Sequence, residues 1–373
     1  MMSKDGVKYV GLWKLRAPLY HGAPVMDREW LQRRRRNRGF EHANHSLLRE
    51  GQVACVIEEG TGPRLTFRPV YEVSGNSMRG LLHAIVARHT LLTLGLPTDW
   101  QKLKGKFGWQ SDDEVALLFK GGPMVAGDVE NLERRRKLRE KLPIVDLFGG
   151  CYHGESFRSM LRMEFAIPAV REVAQVWPEF DGLLADEGLS WEALPAEVEL
   201  RKAVEDNPYW FARHIPEELA GLVWEEEVPE GASRDVQKAR MVFSLDAIPA
   251  GMLMFHRFAL LPGASDRARW CLEAAVHLWL TEYDGVVGGG AARGFGGLVQ
   301  ARYRKCSGDV LGSVVDFKQG YEQYTKWLEE NKDSILEYLA RLPQEFPGRP
   351  RRGGSRNGQG GEPAESGGDE DEE

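Results

Sequence analysis

The run GGGAARGFGG, residues 288–297, limits what this chain can fold into more than any other segment. Six glycines in ten residues are incompatible with a helix interior or a strand, because glycine weakens both. An apolar stretch of helical character precedes the run, and LVQARY, which is typical of a strand, follows it. The run therefore predicts a loop between a helix and a strand, with a backbone that turns tightly or closely approaches another group.

The composition is that of a globular protein with a substantial core: 373 residues, 42% hydrophobic and 28% charged. No window approaches eighteen uncharged apolar residues, and MMSKDGVKYVG has no apolar signal region. We therefore expect a cytoplasmic protein without membrane contact. Four widely separated cysteines are expected to be reduced thiols. Nothing in the composition indicates a cofactor.

The charge is unevenly distributed along the chain. A net charge of −7 argues against a protein that simply coats nucleic acid. The segment REWLQRRRRNR, residues 28–38, is strongly basic, so a local contact with phosphates is possible in spite of the acidic total. Residues 347–373 are rich in Gly, Pro and charged residues, and we expect them to be disordered.

The periodicity of apolar residues predicts alternating strands and helices, with residues 21–66 and 171–240 irregular. Predicted strands are 8–20, 67–73, 114–122, β-like runs in IVDLFGG and MLRMEFAIPAV, two strands within 239–262, and 298–305. Predicted helices begin after Ser74, at 130–142, at 265–285 and within 309–341.

The order strand, helix, strands, helix, strand is compatible with an α+β fold built on a ferredoxin-like βαββαβ core with long insertions. In that core the last strand pairs with the first. The glycine run, which precedes the last predicted strand, would then lie beside the helix start GNSMRG, residues 75–80. Two loops that are distant in sequence would form one site.

That site has the character of an anion-binding site. A helix start presents unpaired N–H groups and partial positive charge, here beside Asn76, Ser77 and Arg79. The glycine run adds N–H donors, and Arg293 adds a guanidinium. The alternative is a tight helix-to-strand turn with a solvated Arg293. Neither nucleotide-binding fingerprint fits, since the Walker Lys-Ser/Thr is missing and the helix precedes the loop. Nucleic-acid phosphates fit better.

Three segments resemble motifs of the CRISPR-associated RAMP superfamily. VSGNSMRGLLH is similar to its PGSSLRG segment, AIPAGMLMFHRFALL to its hPxGTxF strand, and VVGGGAARGFGGLVQ to its glycine-rich loop. They occur in family order within residues 67–305. Among its branches the chain most resembles the crRNA-binding backbone subunit, the "seven" family, of type IV, with type III as competitor. It departs from the motifs at Ser74, Asn76, Met252 and Met254.

The resemblance implies a right-hand shape with an RRM-like, ferredoxin-like palm. Its palm would comprise 1–22, 67–168 and 239–305, with a finger or web insertion 23–66, an insertion 169–238 containing the thumb within 205–240, a helical region 306–346 and the tail 347–373. Copies would stack head to tail along crRNA and present its bases to target DNA or RNA. Other expected partners are further effector subunits of the ribonucleoprotein: a RAMP cap subunit, a large subunit and a helicase.

The predicted RNA-binding residues combine the helix start, the glycine run and the basic segment. They are Asn76, Ser77, Arg79, Gly288, Gly289, Gly290, Arg293, Gly294, Phe295, Gly296, Arg33, Arg34, Arg35 and Arg36. Phe295 either packs beneath the loop or stacks on a base. The Arg quartet has the alternative of a solvated helix face.

The expected role is not enzymatic. Asp27 lies where type III relatives carry a catalytic Asp, but PVMDREW does not match their catalytic segment. A target-cleaving or crRNA-processing endoribonuclease remains the alternative, with His21 among the candidate acid–base groups. HANH, residues 42–45, with Cys55 lacks a fourth zinc ligand, so no metal site is predicted. His83 and His89 are expected to be interface or packing residues.

Overall fold

The structure is a computed structural model that describes residues 6–21, 45–46, 50–59, 62–109, 112–121, 131–153, 155–174, 177, 179–196, 201–204, 244–288, 295–307 and 310–346. The predicted thumb and the tail 347–373 lie outside these residues.

Strands and α-helices are numbered here in chain order. The strands are β1 (Val7–Leu15), β2 (His45–Ser46), β3 (Glu50–Glu59), β4 (Gly62–Tyr71), β5 (Gly150–Tyr152), β6 (Glu155–Phe157), β7 (Leu161–Met163), β8 (Ile167–Pro168), β9 (Arg201–Val204), β10 (Ser244–Ala247), β11 (Leu253–Leu260), β12 (Leu298–Ser307) and β13 (Val310–Val314). The helices are α1 (Gly75–Thr93), α2 (Trp100–Phe107), α3 (Asp113–Lys120), α4 (Leu132–Lys141), α5 (Pro143–Phe148), α6 (Arg171–Ala174), α7 (Glu179–Asp186), α8 (Asp266–Thr281), α9 (Phe317–Glu330) and α10 (Lys332–Glu345).

The largest sheet is antiparallel and has β1 near its centre. β1 pairs with β11 on one side and with β12 on the other, so that Leu12 lies opposite Phe255 and Arg302. β7 and β8 pair with the far edge of β11, and β13 extends the sheet beyond β12. The strand that follows the glycine run therefore pairs with the first strand, as the sequence predicts.

The central strand β1 is covered on both faces, which explains why its buried middle, residues 9–13, has no charged residue. Tyr9 and Trp13 are fully buried on the side of α1 and α8, where the Trp13 ring meets Trp279 at 5.3 Å. Val10 and Leu12 point the other way, into a second cluster around α6 and α7. Side chains alternate between the faces of a strand, so β1 needs apolar residues at successive positions.

Capping serines begin the two helices that pack on the sheet. The Ser74 hydroxyl accepts the N–H of Ser77 at 3.2 Å, and the Ser265 hydroxyl accepts the N–H of Ala268 at 3.1 Å. Both starts confirm the sequence prediction, because serine is a preferred residue at this position. α4 likewise lies where a charged helix is predicted, with Asn131 as its cap.

Two segments predicted as strands are helices. Residues 113–120 form α3, which begins with two acidic residues and ends at Gly121 in the left-handed conformation, φ 79°. Residues 143–148 form α5, with Pro143 in the first turn and Gly149 directly after it. Acidic residues or proline at a start and glycine at an end are helix signals, and they outweigh the short apolar runs.

Several predicted loops and pairings also differ. Residues 50–59, predicted as irregular, form β3, which pairs along its whole length with β4. The region predicted as helical at 309–341 begins with the strand β13 before α9. The two strands predicted within 239–262 exist, but β10 pairs with β9 and β2, while β11 joins the large sheet. A helix long and apolar enough for a membrane span does not occur in the described part of the chain.

Candidate functional site

Three segments meet where β1 ends, and we call this region the strand-end junction. They are residues 16–21, the helix start 74–80, and the two edges of the glycine run, 286–288 and 295–297. The backbone closes the region: the Gly296 N–H donates to the Pro18 carbonyl at 2.9 Å, and the Gly297 carbonyl accepts the Arg16 N–H at 2.8 Å. Residues 16–18 thus contact the glycine run, and His21 of the same segment contacts the start of α1, so both predicted parts of the site adjoin residues 16–21.

Backbone conformation and close contacts within the protein explain why glycine is required at two described positions of the run. Gly288 and Gly296 have φ values of 84° and 74°, which disfavour any residue with a side chain. A Cβ at Gly288 would overlap the Tyr20 carbonyl oxygen, and a Cβ at Gly296 would overlap that of Val287. These glycines therefore let the chain close against its own backbone.

The start of α1 keeps open donors. Nε2 of His21 accepts the Ser74 N–H at 3.3 Å and lies 3.4 Å from the Ser77 hydroxyl, so His21 joins the junction to the helix cap. Within the described ranges, the backbone N–H groups of Gly75 and Asn76 have no hydrogen-bond acceptor. The Asn76 and Ser77 side chains are exposed. A helix N-terminus with open amides is suited to an anion.

Arg79, predicted as an anion anchor, is hydrogen-bonded within the protein. Its guanidinium donates to the carbonyl of Phe148 at the end of α5, and the side chain is half-buried. Burial lowers the pKa of Arg79, because a low-dielectric surrounding disfavours the charged form. Arg79 thus connects α1 to α5 and lines a neighbouring cleft.

The other predicted RNA-binding residues divide into one described residue and a group that is not described. Phe295 is 5% exposed, which corresponds to the packing alternative rather than to base stacking. Gly289, Gly290, Arg293, Gly294, Arg33, Arg34, Arg35 and Arg36 lie outside the described residues, as does Asp27. Their roles stay predictions.

The two helical histidines pack, as predicted. The His83 ring stacks on Phe148 with centroids 4.5 Å apart and planes 9° apart. His89 Nε2 lies 3.0 Å from the Thr325 hydroxyl. Over the described ranges, no three His, Cys, Asp or Glu side chains form a group suited to a metal ion.

Beside the junction lies a cleft of about 1400 Å³ that sequence reasoning missed. Its walls come from the exposed face of α1, from α3, from the β5–β6 hairpin and from α4, and Asn76 lies at its edge. Its basic side chains are Arg79, Lys120, Arg135 and Arg158. The sequence signal for it was the glycine pairs at 121–122 and 149–150, which flank α3 and α5.

Comparison with known proteins gives a structural likeness but no family. No family model matches the chain, and no curated protein matches it. A solved structure titled "Type IV-B CRISPR Complex" is similar over 82% of this chain and 93% of that chain, with a TM-score of 0.43 and 17% sequence identity. A likeness at that level does not assign an activity.

Proposed function

We propose that this chain is a non-catalytic, RNA-binding backbone subunit of a CRISPR ribonucleoprotein. The observation that carries the proposal is the strand-end junction, in which the end of β1, the open start of α1 and the glycine run meet. The order β12–β1–β11–β7, with α1 and α8 as the connecting helices, supports a ferredoxin-like palm. The three motifs that resemble the RAMP superfamily lie on these same elements.

The mechanism is recognition of the sugar-phosphate backbone. The open amides of Gly75 and Asn76, with the exposed Ser77 hydroxyl, offer donors to a phosphate at the positive end of a 19-residue helix. Contacts of this kind carry no sequence information. Bases of a guide RNA held in this way stay free to pair with a target, and further copies and other effector subunits would complete the assembly.

A charge reversal at the helix start tests the proposal. Asn76→Asp places a carboxylate where the phosphate would lie, and we expect affinity for single-stranded RNA to fall at least about tenfold. A carboxylate in the first turn is favourable for the helix, so the fold should be unaffected. Gln323→Glu, at an exposed position of α9, makes the same amide-to-carboxylate change away from the junction and serves as the control.

The protein should first be purified without nuclease and measured by the ratio of absorbance at 260 and 280 nm and by light scattering. Copies stacked on cellular RNA would give a high ratio and a large assembly that ribonuclease disperses. Equal RNA affinity of Asn76→Asp, Gln323→Glu and the unaltered chain would contradict the proposal. Metal-dependent loss of target RNA that disappears in Asp27→Ala would instead establish the endoribonuclease alternative.

A further inference from the structure

The cleft beside the junction carries an excess of positive charge. Four basic side chains line it, and the accompanying carboxylate, Asp112, is bonded to Lys104 at 2.8 Å. In the described part of the chain, neither Lys120 nor Arg158 has a carboxylate within ion-pair distance. Lys120 and Arg158 are therefore like charges without a carboxylate among the described residues, and their presence at one cleft favours an anionic occupant.

A buried acid offsets part of the charge of the cleft, at Arg135. Asp146 lies beneath the cleft wall, where its carboxylate contacts Arg139 at 3.0 Å and the Ser265 hydroxyl at 2.9 Å. Burial and the positive charges of Arg139 and Arg158 lower the pKa of Arg135, whereas the negative charge of Asp146 raises it. Asp146 therefore offsets charge at Arg135 and Arg139, while Lys120 and Arg158 have no carboxylate within ion-pair distance among the described residues.

The same cleft has aromatic surface, and one of its residues carries a buried hydrogen-bonding atom without a partner among the described residues. Trp100 is 45% exposed and Phe119 is partly exposed, so both rings can receive a flat ligand. His83 is 6% exposed and stacked on Phe148, and within the described ranges its Nε2 has no hydrogen-bond partner. A buried polar atom without a partner costs free energy, which a bound group can recover by hydrogen bonding to it.

We propose that this cleft binds nucleoside phosphates of a single strand that continues from the start of α1. Phosphates contact Lys120 and Arg158, a base lies on Trp100 or Phe119, and a base edge bonds to His83 Nε2. Cationic groups interleaved with aromatic rings are the usual composition of a single-strand binding channel. Asn76 belongs both to the helix start and to the cleft edge, which makes the path continuous. The inference rests on the proposed function.

The test measures how RNA affinity depends on salt. The full chain and the double variant Lys120→Gln/Arg158→Gln are titrated with oligouridylate over a range of salt concentrations. Each lost phosphate contact on a single strand lowers the magnitude of the log–log slope by about 0.7, so the double variant should lose about 1.4. Arg162→Gln, an exposed arginine on β7 that does not line the cleft, should leave the slope unchanged.

A second measurement addresses the base. His83→Phe keeps a ring on Phe148 and removes Nε2. We expect it to lower affinity for oligouridylate about three- to tenfold, and to leave affinity for an abasic strand of equal length unchanged. Equal losses for both strands would show a purely structural role of His83 and would overturn the base contact.

The outcomes separate this inference from the proposed function. If Asn76→Asp loses RNA binding and Lys120→Gln/Arg158→Gln keeps the full salt slope, the junction binds RNA and the cleft proposal is overturned. If Asn76→Asp also binds normally, the proposed function itself fails. If uridine monophosphate raises the melting temperature and oligouridylate does not displace it, the cleft is a separate nucleotide site, and the continuous path is overturned.

Discussion

The strand-end junction and the cleft lie side by side and are built by opposite means. In the junction, backbone meets backbone, and Gly288 and Gly296 are needed because a side chain would overlap a carbonyl. In the cleft, charged and aromatic side chains surround open space. The comparison shows that Gly288 and Gly296 permit close contact between backbone segments. The groups without hydrogen-bond or ion-pair partners among the described residues lie beside them, at the start of α1 and in the cleft.

Gly296→Ala should give the largest effect, because it breaks the closed region. The alanine would have to adopt φ near 74° and its Cβ would overlap the Val287 carbonyl. We expect the free energy of unfolding to fall by about 3 kcal/mol or more. Urea unfolding monitored by circular dichroism measures it.

Gly251→Ala is the matched control for that change. Gly251 also has a positive φ, 84°, but a Cβ there would meet no atom within 4 Å. The expected loss is about 1 kcal/mol, from backbone strain alone. Equal losses for the two variants would mean that the close backbone contact in the junction adds nothing.

The second prediction uses pH to examine His83, which lines the cleft. Burial lowers the pKa of His83 to about 4, from an ordinary value near 6.5. Well above pH 6.5 the imidazole is neutral in both the folded and the unfolded state, so His83 does not make the free energy of unfolding depend on pH. As pH falls towards 4 the unfolded chain takes up the proton and the folded chain does not, so the unfolding free energy decreases by about 2 to 3 kcal/mol.

His83→Phe isolates this contribution from that of other buried histidines. The variant should lose less stability than the unaltered protein between about pH 7 and about pH 4.5, by the 2 to 3 kcal/mol given above. Urea unfolding at the two pH values supplies the difference. Parallel losses in both proteins would place the His83 ring in contact with water.

Sequence reasoning reached the junction because its signals are local. Glycine content, a serine cap and the apolar spacing of α1 each follow from a few neighbouring residues, and strand order brought them together. The cleft was not predicted because Lys120, Arg135 and Arg158 are far apart in sequence. Each of them alone is typical of a solvated surface charge. The incorrect prediction of a strand at 114–122 also concealed the cleft, because α3, which forms one of its walls, was not expected.

The third prediction concerns Arg79, which connects the two regions. Arg79→Gln removes the guanidinium that donates to the Phe148 carbonyl, and a charge-assisted hydrogen bond of a partly buried group is worth about 1 to 2 kcal/mol. Stability should fall by that amount, with RNA affinity reduced in addition. Arg88→Gln, an exposed arginine on the same helix, is the control. A loss of RNA affinity at unchanged stability would show that Arg79 leaves Phe148 and acts as a free anchor.

The smallest expected effect on stability is that of removing a basic side chain from the cleft, and it contrasts most clearly with the effect of Gly296→Ala in the junction. Lys120→Gln and Arg158→Gln each remove a cation that has no carboxylate partner among the described residues, so the folded chain loses repulsion rather than attraction. Thermal unfolding at low salt should show stability unchanged or higher by a few tenths of a kcal/mol. If neither side chain stabilises the fold, binding of a polyanion explains the presence of both. A clear loss of stability in either variant would instead indicate that the side chain has a structural role.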